Sequence, residues 1–545
     1  MCKEAHPMRH AIGRNDSLVS KLKNAVAHSS DPLATDEVST LATFTKSPQA
    51  SQSDGLSAAS LRQLLPTAKF FGCDDLHLAP IANSPATAVE GELVLYRVGE
   101  CEPTQFIATA LSRGAAGILT EQLLPCPLPQ CIVGDVDLAL ATIAAEQQGR
   151  PDQKLLTIGV MGSAGKTTTA LLIASLFRSS GFRTAYQTDL GQSDGVLQSA
   201  GHEVIAKPAA VIEWLGEAVD ANCQAAIFEV SDDAIRAGVF DAIEFDLLVV
   251  TGADSQSRDY GPHALQCGLD RLASSGIVIA SADDRRVLDV VAEHQARLLT
   301  FGLQRPGDVR VRIIEESGGM TTFAVSHAAI TAVMESRLCG GMMAANHAAA
   351  TAVGILIDLP LHDIAEVLGR VQDIPARQQR LECYPHATVV IDAGGNSQRV
   401  AETLQTMRRM KGAGRLWCVL TIDTDDDDQR LADYGNCLER FADHAIVTCR
   451  EEGKAKFLRD SHAILDGVQK LAAMRLSADR QRAIRWAIAS AKPQDTIVMI
   501  GGITRKNAHQ QRSEIEQIVR WVESERSAAA VDDEDSQPKI FSIFQ

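Results

Sequence analysis

The chain has 545 residues, 45% of them apolar and 22% charged, which suits about three to five packed domains and excludes both a single small module and a wholly disordered protein. A net charge of −17 repels polyanions, and aromatic residues at 4% are too sparse for base-stacking platforms, so nucleic-acid binding is not expected. Its 12 cysteines are scattered without a C-x-x-C pair or metal-ligand spacing and read as reduced core thiols. The N-terminus lacks an apolar signal core and no run of about 18 apolar residues occurs, so the sequence reads as soluble and cytoplasmic, without membrane insertion.

Residues 1–57 mix charge with Ser, Thr, Ala and Gln without a sustained period and read as a disordered extension. Over 58–153 the segments GELVLYRV, FIATALSRGAAGILTE and QCIVGDVDLALATIAAEQQG predict a small α/β module. The polar PDQK at 151–154 marks a junction before a new buried strand. Over 154–373 the runs LLTIGV, AAIFEV, FDLLVV and GIVIAS are apolar throughout and alternate with helices, the pattern of a doubly wound parallel sheet covered on both faces. A third cycle over 374–526, with ATVVIDAGG, RLWCVLTID, HAIVTC and DTIVMIGG, predicts a second, smaller α/β domain. The acidic segment 527–545 reads as a loose tail.

The strongest chemical signal follows the first strand of the middle region, in Gly162-Ser163-Ala164-Gly165-Lys166-Thr167-Thr168. Glycines let backbone N–H groups turn inward around phosphate oxygens, the following helix adds partial positive charge at its N-terminus, and Lys166 supplies a point charge for the terminal phosphates. Thr167 is placed to put its hydroxyl on Mg²⁺. Val160 stands where a longer phosphate loop has its first glycine, which leaves the shortened form G-x-x-G-K-T. The bland alternative is a chance glycine-rich turn; strand, Gly-Lys-Thr and helix together favour ATP.

This shortened loop resembles that of the Mur ligase family, enzymes that use ATP to turn a carboxylate into an acyl phosphate for attack by an amine. Residues 61–526 resemble, domain by domain, the family's tripeptide synthetases, which add the third amino acid to UDP-N-acetylmuramoyl-dipeptide. The stretch GELVLYRVGECEPTQFIATALSRGAAGILTE resembles the module that holds the UDP end, which folylpolyglutamate synthetases lack. The resemblance implies three domains: a UDP-substrate module, a central ATP-binding P-loop sheet and a C-terminal ligase domain. Glu229 ends AAIFEV where the family has Glu-Val-Ser-Ser-His, and a carboxylate at a parallel strand's carboxyl end suits Mg²⁺; a solvated strand-end acid is the alternative. Gly341-x-x-x-x-Asn346 resembles the family's nucleotide-contacting Asn helix. Pro375-Ala376-Arg377-Gln378-Gln379-Arg380 resembles its Pro-Gly-Arg-x-x-Arg, and Asp392 matches an aspartate of its Val-Asp-Tyr-Ala-His segment. The resemblance gives Arg377 an ATP-phosphate contact; for Arg377 and Asp392 an interdomain ion pair is the alternative.

The departures fall on chemistry. Gln256 and Ser257 stand where the family has Asp-His, and Asp232-Asp233 where it has Ser-His. Those two acids either take over a cation beside Glu229 or form a helix N-terminal pair favoured by the dipole. Gly268 or Leu269 occupies the place of the family's carbamoylated lysine, which predicts a slow or altered phosphoryl step. Ala393-Gly394-Gly395 replaces Tyr-Ala-His, and TCREEGKAK stands where the family's diaminopimelate-selecting Asp-Asn-Pro-Arg lies. Gly501-Gly502-Ile503-Thr504-Arg505-Lys506 replaces Gly-Lys-Gly-His-Glu, and Ala206-Lys207-Pro208 replaces the Thr-Thr-Pro that contacts the UDP-sugar acid. The run Asp425 to Asp428 reads as a solvated charge run, and His263, His347 and His509 as isolated histidines without ligand spacing.

The expectation is an ATP-dependent, amide-forming ligase of peptidoglycan precursor synthesis with Lys166, Glu229 and Arg377 at the chemistry. Gly162, Ser163, Ala164, Gly165, Lys166, Thr167, Thr168, Asn346, Arg377 and Asp392 would surround ATP, and Thr167 and Glu229 would hold Mg²⁺. Its partners would be a UDP-muramoyl-peptide-like substrate and an amino acid, and the chain a monomer. The alternative is a paralogue that keeps the fold and ATP binding but has lost ligation and serves as a regulatory or scaffolding protein.

Overall fold

The computed structural model describes residue 21 and residues 60–199, 207–252, 262–382, 385–423, 426–469, 474–504 and 507–535. The expected disordered extension therefore lies outside the described residues apart from Lys21, whose ammonium meets both carboxylate oxygens of Asp246 at 2.8 Å. The architecture is three α/β sheets in succession along the chain.

The first sheet has five strands in the order Lys69–Phe71, Gln130–Ile132, Gly117–Thr120, Leu93–Tyr96 and Ile81–Ala82, parallel except at its first pair. Alternate residues of one strand face opposite sides. Leu93 and Leu95 accordingly pack with helix Val136–Gln147, while Val94 and Tyr96 pack with helix Pro103–Ser112.

The central sheet has Leu156–Met161 in its interior, flanked by Ala225–Glu229 and Phe245–Val250. From Val309–Ser317 across to Thr184–Thr188 every neighbouring pair is parallel. One face packs Ile158, Val160 and Ile227 against helices Lys166–Ser179 and Gly341–Leu356; the other packs Met161, Phe228 and Leu248 against helix Pro208–Asp220 and its neighbours. Phe228 alone meets Trp214, Phe240 and Phe245 edge-on at 5.2, 5.6 and 6.1 Å, and each large side chain buried this way stabilises the fold by about 1.5–3 kcal/mol. Antiparallel strands extend both edges: Met320–His327 with Ile330–Ser336 on one side, Gly191–Ser193 with Gln198–Ser199 on the other. The continuous apolar runs did not predict these, because an edge strand such as ITAVMES, Ile330–Ser336, alternates between buried and exposed positions over its last five residues.

The last sheet has the order Gln379–Leu381, Thr388–Asp392, Thr496–Gly501, Leu416–Ile422, His444–Cys449 and Met474–Leu476, parallel except at its first pair. Helices Ser397–Met410 and Asp428–Phe441 cover one face, and Arg480–Ser490 with Ala508–Asp535 the other. That final helix continues past 526 to Asp535, so residues 527–535 are helical where a loose tail is expected, while 536–545 lie outside the described residues; Ala-rich sequence propagates helix readily. Within the aspartate run, Asp427 caps a helix by accepting from Arg430 N–H at 2.8 Å, Asp426 pairs with Arg430 at 3.2 Å and Asp428 with Arg459 at 3.3 Å. These are helix-start and ion-pair contacts.

His347 is fully buried, lies 2.7 Å from Met343 O and 3.2 Å from Ser336 Oγ, and burial lowers its pKa to about 4, so it is a neutral core residue. His263 and His509 are exposed. Every cysteine among the described residues is free. No helix among the described residues is long and apolar enough to cross a membrane.

Candidate active site

Four adjacent strands of the central sheet, in spatial order Phe245–Val250, Leu156–Met161, Ala225–Glu229 and Thr184–Thr188, are mutually parallel and end on the same edge. Open α/β sheets bind ligands in the crevice beyond such carboxyl ends. Here those ends deliver Thr251 and Gly252, the phosphate loop, Glu229 and Asp189 to one place.

Gly162 and Gly165 have φ of 133° and 82°, a region that side chains disfavour. A Cβ at 162 would lie 2.5 Å from Thr251 Oγ1, and one at 165 would run into Asn346 Oδ1. The loop is clamped from the neighbouring strand end: Ser163 N–H donates to Gly252 O at 2.9 Å, its hydroxyl lies 3.1 Å from the same oxygen, and Thr251 Oγ1 is 2.5 Å from Ala164 O. Lys166 Nζ folds back over the loop onto Gly162 O at 3.0 Å. Thr168 is buried in the first turn of helix Lys166–Ser179. Asn346, 4% exposed, is carried by Gly341–Leu356, whose small residues let it pack closely beside that helix.

Thr167 is the hub. Its hydroxyl donates to Glu229 Oε1 at 2.9 Å, and the other Glu229 oxygen accepts from Asp189 N–H at 2.9 Å. Burial pushes the Glu229 carboxyl up to about 7 and the Asp189 charge adds to this, while Lys166 and Arg377 pull in the opposite direction. Arg377 reaches in from the C-terminal domain, 6% exposed, with Nη2 donating to Thr167 Oγ1 at 3.2 Å. It is aimed by a strained turn in which Ala376 and Gln378 have φ of 52° and 56°. Asp392 braces that turn: its two oxygens accept from Gln378 N–H at 3.2 Å and Gly394 N–H at 2.8 Å. A cavity of about 590 Å³ opens from Ser163 and Ala164 past Asn346 to Gln378, Arg399 and Thr406.

The donor set suits a magnesium ion. Thr167 Oγ1, in the first turn of helix Lys166–Ser179, and Glu229 Oε1, at the end of strand Ala225–Glu229, are hard oxygens side by side, and a divalent cation would relieve the cost of ionising a buried carboxylate.

The sequence profile of the Mur ligase middle domain matches residues 160–354, and that of the Mur ligase glutamate ligase domain matches residues 376–503. The chain belongs to the Mur ligase family. It is 28% identical over 478 residues to a UDP-N-acetylmuramoyl-L-alanyl-D-glutamate–2,6-diaminopimelate ligase of Thermosynechococcus vestitus, covering 81% of this chain and 92% of that one. It is 27% identical over 452 residues to a UDP-N-acetylmuramyl-tripeptide synthetase of Deinococcus radiodurans, covering 78% and 90%. Among solved structures, the MurF ligase of Thermotoga maritima in complex with ADP aligns over 83% of this chain and 99% of its own with a TM-score of 0.57 at 16% identity. The fold is thus the three-domain Mur ligase architecture.

Against that family the departures now have positions. Asp232 and Asp233 do not gather around Glu229: Ser231 caps the short helix Asp232–Arg236, which pairs Asp232 with Arg236 at 3.4 Å and leaves Asp233 exposed. Among the described residues no three His, Cys, Asp or Glu side chains form a metal-holding cluster, and of the two alternatives for these acids the structure shows the helix N-terminal pair. A Cβ at Gly268 would lie 2.8 Å from Met161 Sδ, and Leu269 is 1% exposed in the core; both positions of this Mur ligase are packing positions. Lys207 is exposed beside Pro208, the first residue of helix Pro208–Asp220. Arg480 donates to Gly501 O and Gly502 O at 3.2 and 2.9 Å, and Arg450 pairs with Glu514 at 2.6 Å. Ala206, Gln256, Ser257, Asp425, Arg505 and Lys506 lie outside the described residues.

Three site features escape a reading of the sequence alone: Asp189, the Thr251–Gly252 clamp and Gln378. Asp189 follows a strand that neighbours Ala225–Glu229, and the strand-end rule that singles out Glu229 applies equally to it once that order is known.

Proposed function

We propose that the chain is an ATP-dependent carbon–nitrogen ligase that joins an amino acid to a UDP-muramoyl-peptide-like precursor of peptidoglycan through an acyl phosphate. The observation that carries this reading is the Thr167 hub, where the phosphate loop, Glu229 of the next strand and Arg377 of the following domain meet within hydrogen-bonding distance. In the reaction a substrate carboxylate oxygen attacks the terminal phosphorus of ATP and ADP leaves; the amine nitrogen then attacks the acyl carbon, phosphate leaves, and the amine gives up a proton. A carboxylate resists amines without this activation because its oxygen is a poor leaving group.

Each residue has a physical task in that sequence. The loop amides and Lys166 hold the phosphates, and Lys166 exchanges Gly162 O for phosphate oxygen when the triphosphate enters. Thr167 and Glu229 would hold magnesium, which screens charge between the phosphate and the incoming carboxylate. Arg377 brings a second cation from the C-terminal domain and makes the charge at the site depend on how that domain sits. The Thermosynechococcus and Deinococcus relatives support the substrate class, since each is called a ligase or synthetase of a UDP-muramoyl peptide.

A second reading has its own observation. Gly268 and Leu269 are locked in packing where the family resemblance implies a carbamoylated lysine, which favours a paralogue that binds ATP and has lost ligation. Purified protein supplied with ATP, Mg²⁺, the UDP-muramoyl dipeptide and a panel of amino acids separates them. ADP and a new amide are expected; nucleotide binding without ADP release would overturn the ligase reading in favour of the second.

A further inference from the structure

The edge of the central sheet opposite the phosphate loop holds a buried acid that the ATP chemistry leaves unused. Asp246, the second residue of strand Phe245–Val250, is 6% exposed. On the adjoining strand Thr157 donates its N–H to Asp246 Oδ2 at 3.0 Å. The positive charge comes from far away in sequence: Lys21 Nζ meets both Asp246 oxygens at 2.8 Å and lies 3.5 Å from Leu155 O. A second buried acid, Asp152 of the short helix Pro151–Lys154, pairs with Arg150 at 2.7 Å. Burial raises the Asp152 pKa, and the charges of Arg150 and Lys21 oppose that rise. Lys21 thus neutralises one buried carboxylate and supports another. Removing the partner of a buried charge is strongly destabilising, which sets this contact apart from an exposed surface pair.

The surroundings continue the negative sign. Helix Pro151–Lys154 packs against helix Pro208–Asp220, whose Glu213, Glu217 and Asp220 share one face by their spacing. With Gln148 and Lys154 they line a groove of about 370 Å³. The amino-terminal segment has the opposite sign: residues 1–28 hold five Lys or Arg against two Asp or Glu, in a chain whose net charge is −17. Reach is no obstacle within one chain. Ser60, which caps the first helix of the first module, is 39 residues beyond Lys21, and extended backbone covers about 3.3 Å per residue.

We propose that this floor of the central sheet is a docking site for the chain's own amino-terminal segment. Lys21 is its anchor, seated in a socket of Asp246, Asp152 and Leu155 O, and the basic residues of 1–28 are drawn to the acid face of helix Pro208–Asp220. The socket lies at the amino ends of strands whose carboxyl ends form the catalytic crevice, so it is separate from the nucleotide chemistry and does not depend on the ATP reading. The occupant it fits is a basic segment with a lysine that buries its stem and presents its ammonium to a carboxylate.

Hydrogen exchange read by mass spectrometry on the full chain tests this, with wild type compared with Lys21→Met, Asp246→Asn and the double variant. Methionine keeps much of the lysine stem and removes the charge; asparagine keeps an oxygen for Thr157 N–H and removes the charge. Amides around Lys21 are expected to exchange at least about tenfold faster in both single variants, the loss of a charge-assisted bond to a buried group. The double variant is expected to exchange no faster than either, because both changes remove the same contact. Acetylation of amines in wild type needs no variant, should a substitution fold poorly: Lys21 is expected to react at least about tenfold more slowly in the folded chain than in the urea-unfolded one. Exchange around Lys21 at the rate of an unstructured chain in wild type, or at one rate in wild type and both single variants, would overturn the proposal, as would additive acceleration in the double variant. Protection that falls as the protein is diluted would also overturn it, since a second copy would then supply the lysine.

Discussion

Glu229→Gln separates stability from function in a way the geometry fixes in advance. Burial lifts the folded-state pKa of Glu229 from its ordinary 4.5 to about 7. Below about pH 4.5 the carboxyl is protonated in both the folded and unfolded chains and contributes no pH-dependent cost. Between about 4.5 and 7 the unfolded chain gives up the proton while the folded chain keeps it, so stability falls as pH rises. Above about 7 the deficit is constant, about 3 kcal/mol at the 1.36 kcal/mol equivalent of each pKa unit. Glutamine removes this deficit and keeps the local bonds: its oxygen accepts from Asp189 N–H, and its amide donates to Thr167 Oγ1. The variant should therefore be more resistant to urea than wild type at pH 8, by up to about 3 kcal/mol, and equal to it near pH 4.5. The same change removes a charged ligand for Mg²⁺, so the increase in nucleotide affinity that Mg²⁺ brings to wild type should disappear. Urea titrations from pH 4.5 to 8 and calorimetry with and without Mg²⁺ read both effects. A variant destabilised at pH 8, or a difference that does not change with pH, would mean that Lys166 and Arg377 keep Glu229 ionised, and the reasoning would fail.

Two further substitutions probe the parts that hold the hub. Lys166→Ala removes one bond to Gly162 O at a strand end, so the thermal transition should move little while ATP affinity falls at least about tenfold, as loss of a charge-assisted bond predicts; unchanged affinity in calorimetry would remove the phosphate-loop assignment. Asp392→Ala frees the amides of Gln378 and Gly394 in a buried turn and should cost about 1–3 kcal/mol in denaturant, with weaker ATP binding as Arg377 loses its aim; intact stability would show that the turn does not depend on the carboxylate.

Legibility in the sequence tracks the range of the interactions. The phosphate loop is local: strand, glycines, lysine and helix lie within one short stretch, so sequence alone specifies its chemistry. Glu229 needs one further step, the rule that parallel strands end over a crevice. Asp189 and Thr251 depend on which strands are neighbours. Thr184–Thr188 lies beside Ala225–Glu229, and Phe245–Val250 beside Leu156–Met161, and no pattern within those segments states that order. Arg377 comes from resemblance, because nothing in Pro-Ala-Arg-Gln-Gln-Arg says that two left-handed residues will turn its guanidinium towards Thr167. For Asp232 and Asp233 the helix N-terminal alternative holds for a local reason: Ser231 ahead of two acids is a helix N-terminus, and its capping bond from Ala234 N–H at 3.1 Å turns those acids along the helix.

The two functional readings share nucleotide binding and part at phosphoryl transfer. On the proposed reading a bound triphosphate would take Lys166 from Gly162 O and draw Arg377 from Thr167 towards phosphate, so nucleotide and interdomain contact would compete for the same guanidinium. The domains keep other ties through this exchange: Arg409 meets Glu316 at 2.7 Å and Arg512 donates to Leu190 O at 3.3 Å. The C-terminal domain can thus stay docked while Arg377 changes partner. Phosphoryl transfer then depends on positive charge at the transferred group. With Gly268 and Leu269 committed to packing, neither contributes a polar side chain there, and among the described residues Lys166 and Arg377 are cations that act on Glu229 at the hub. Arg377→Lys keeps the charge and loses the fork that bonds Thr167 Oγ1 and Ala376 O together. If these two cations carry the phosphoryl step, that variant should lower the rate of ADP release far more than it lowers ATP affinity; a parallel fall in both would place Arg377 in binding alone and leave the step without its second cation.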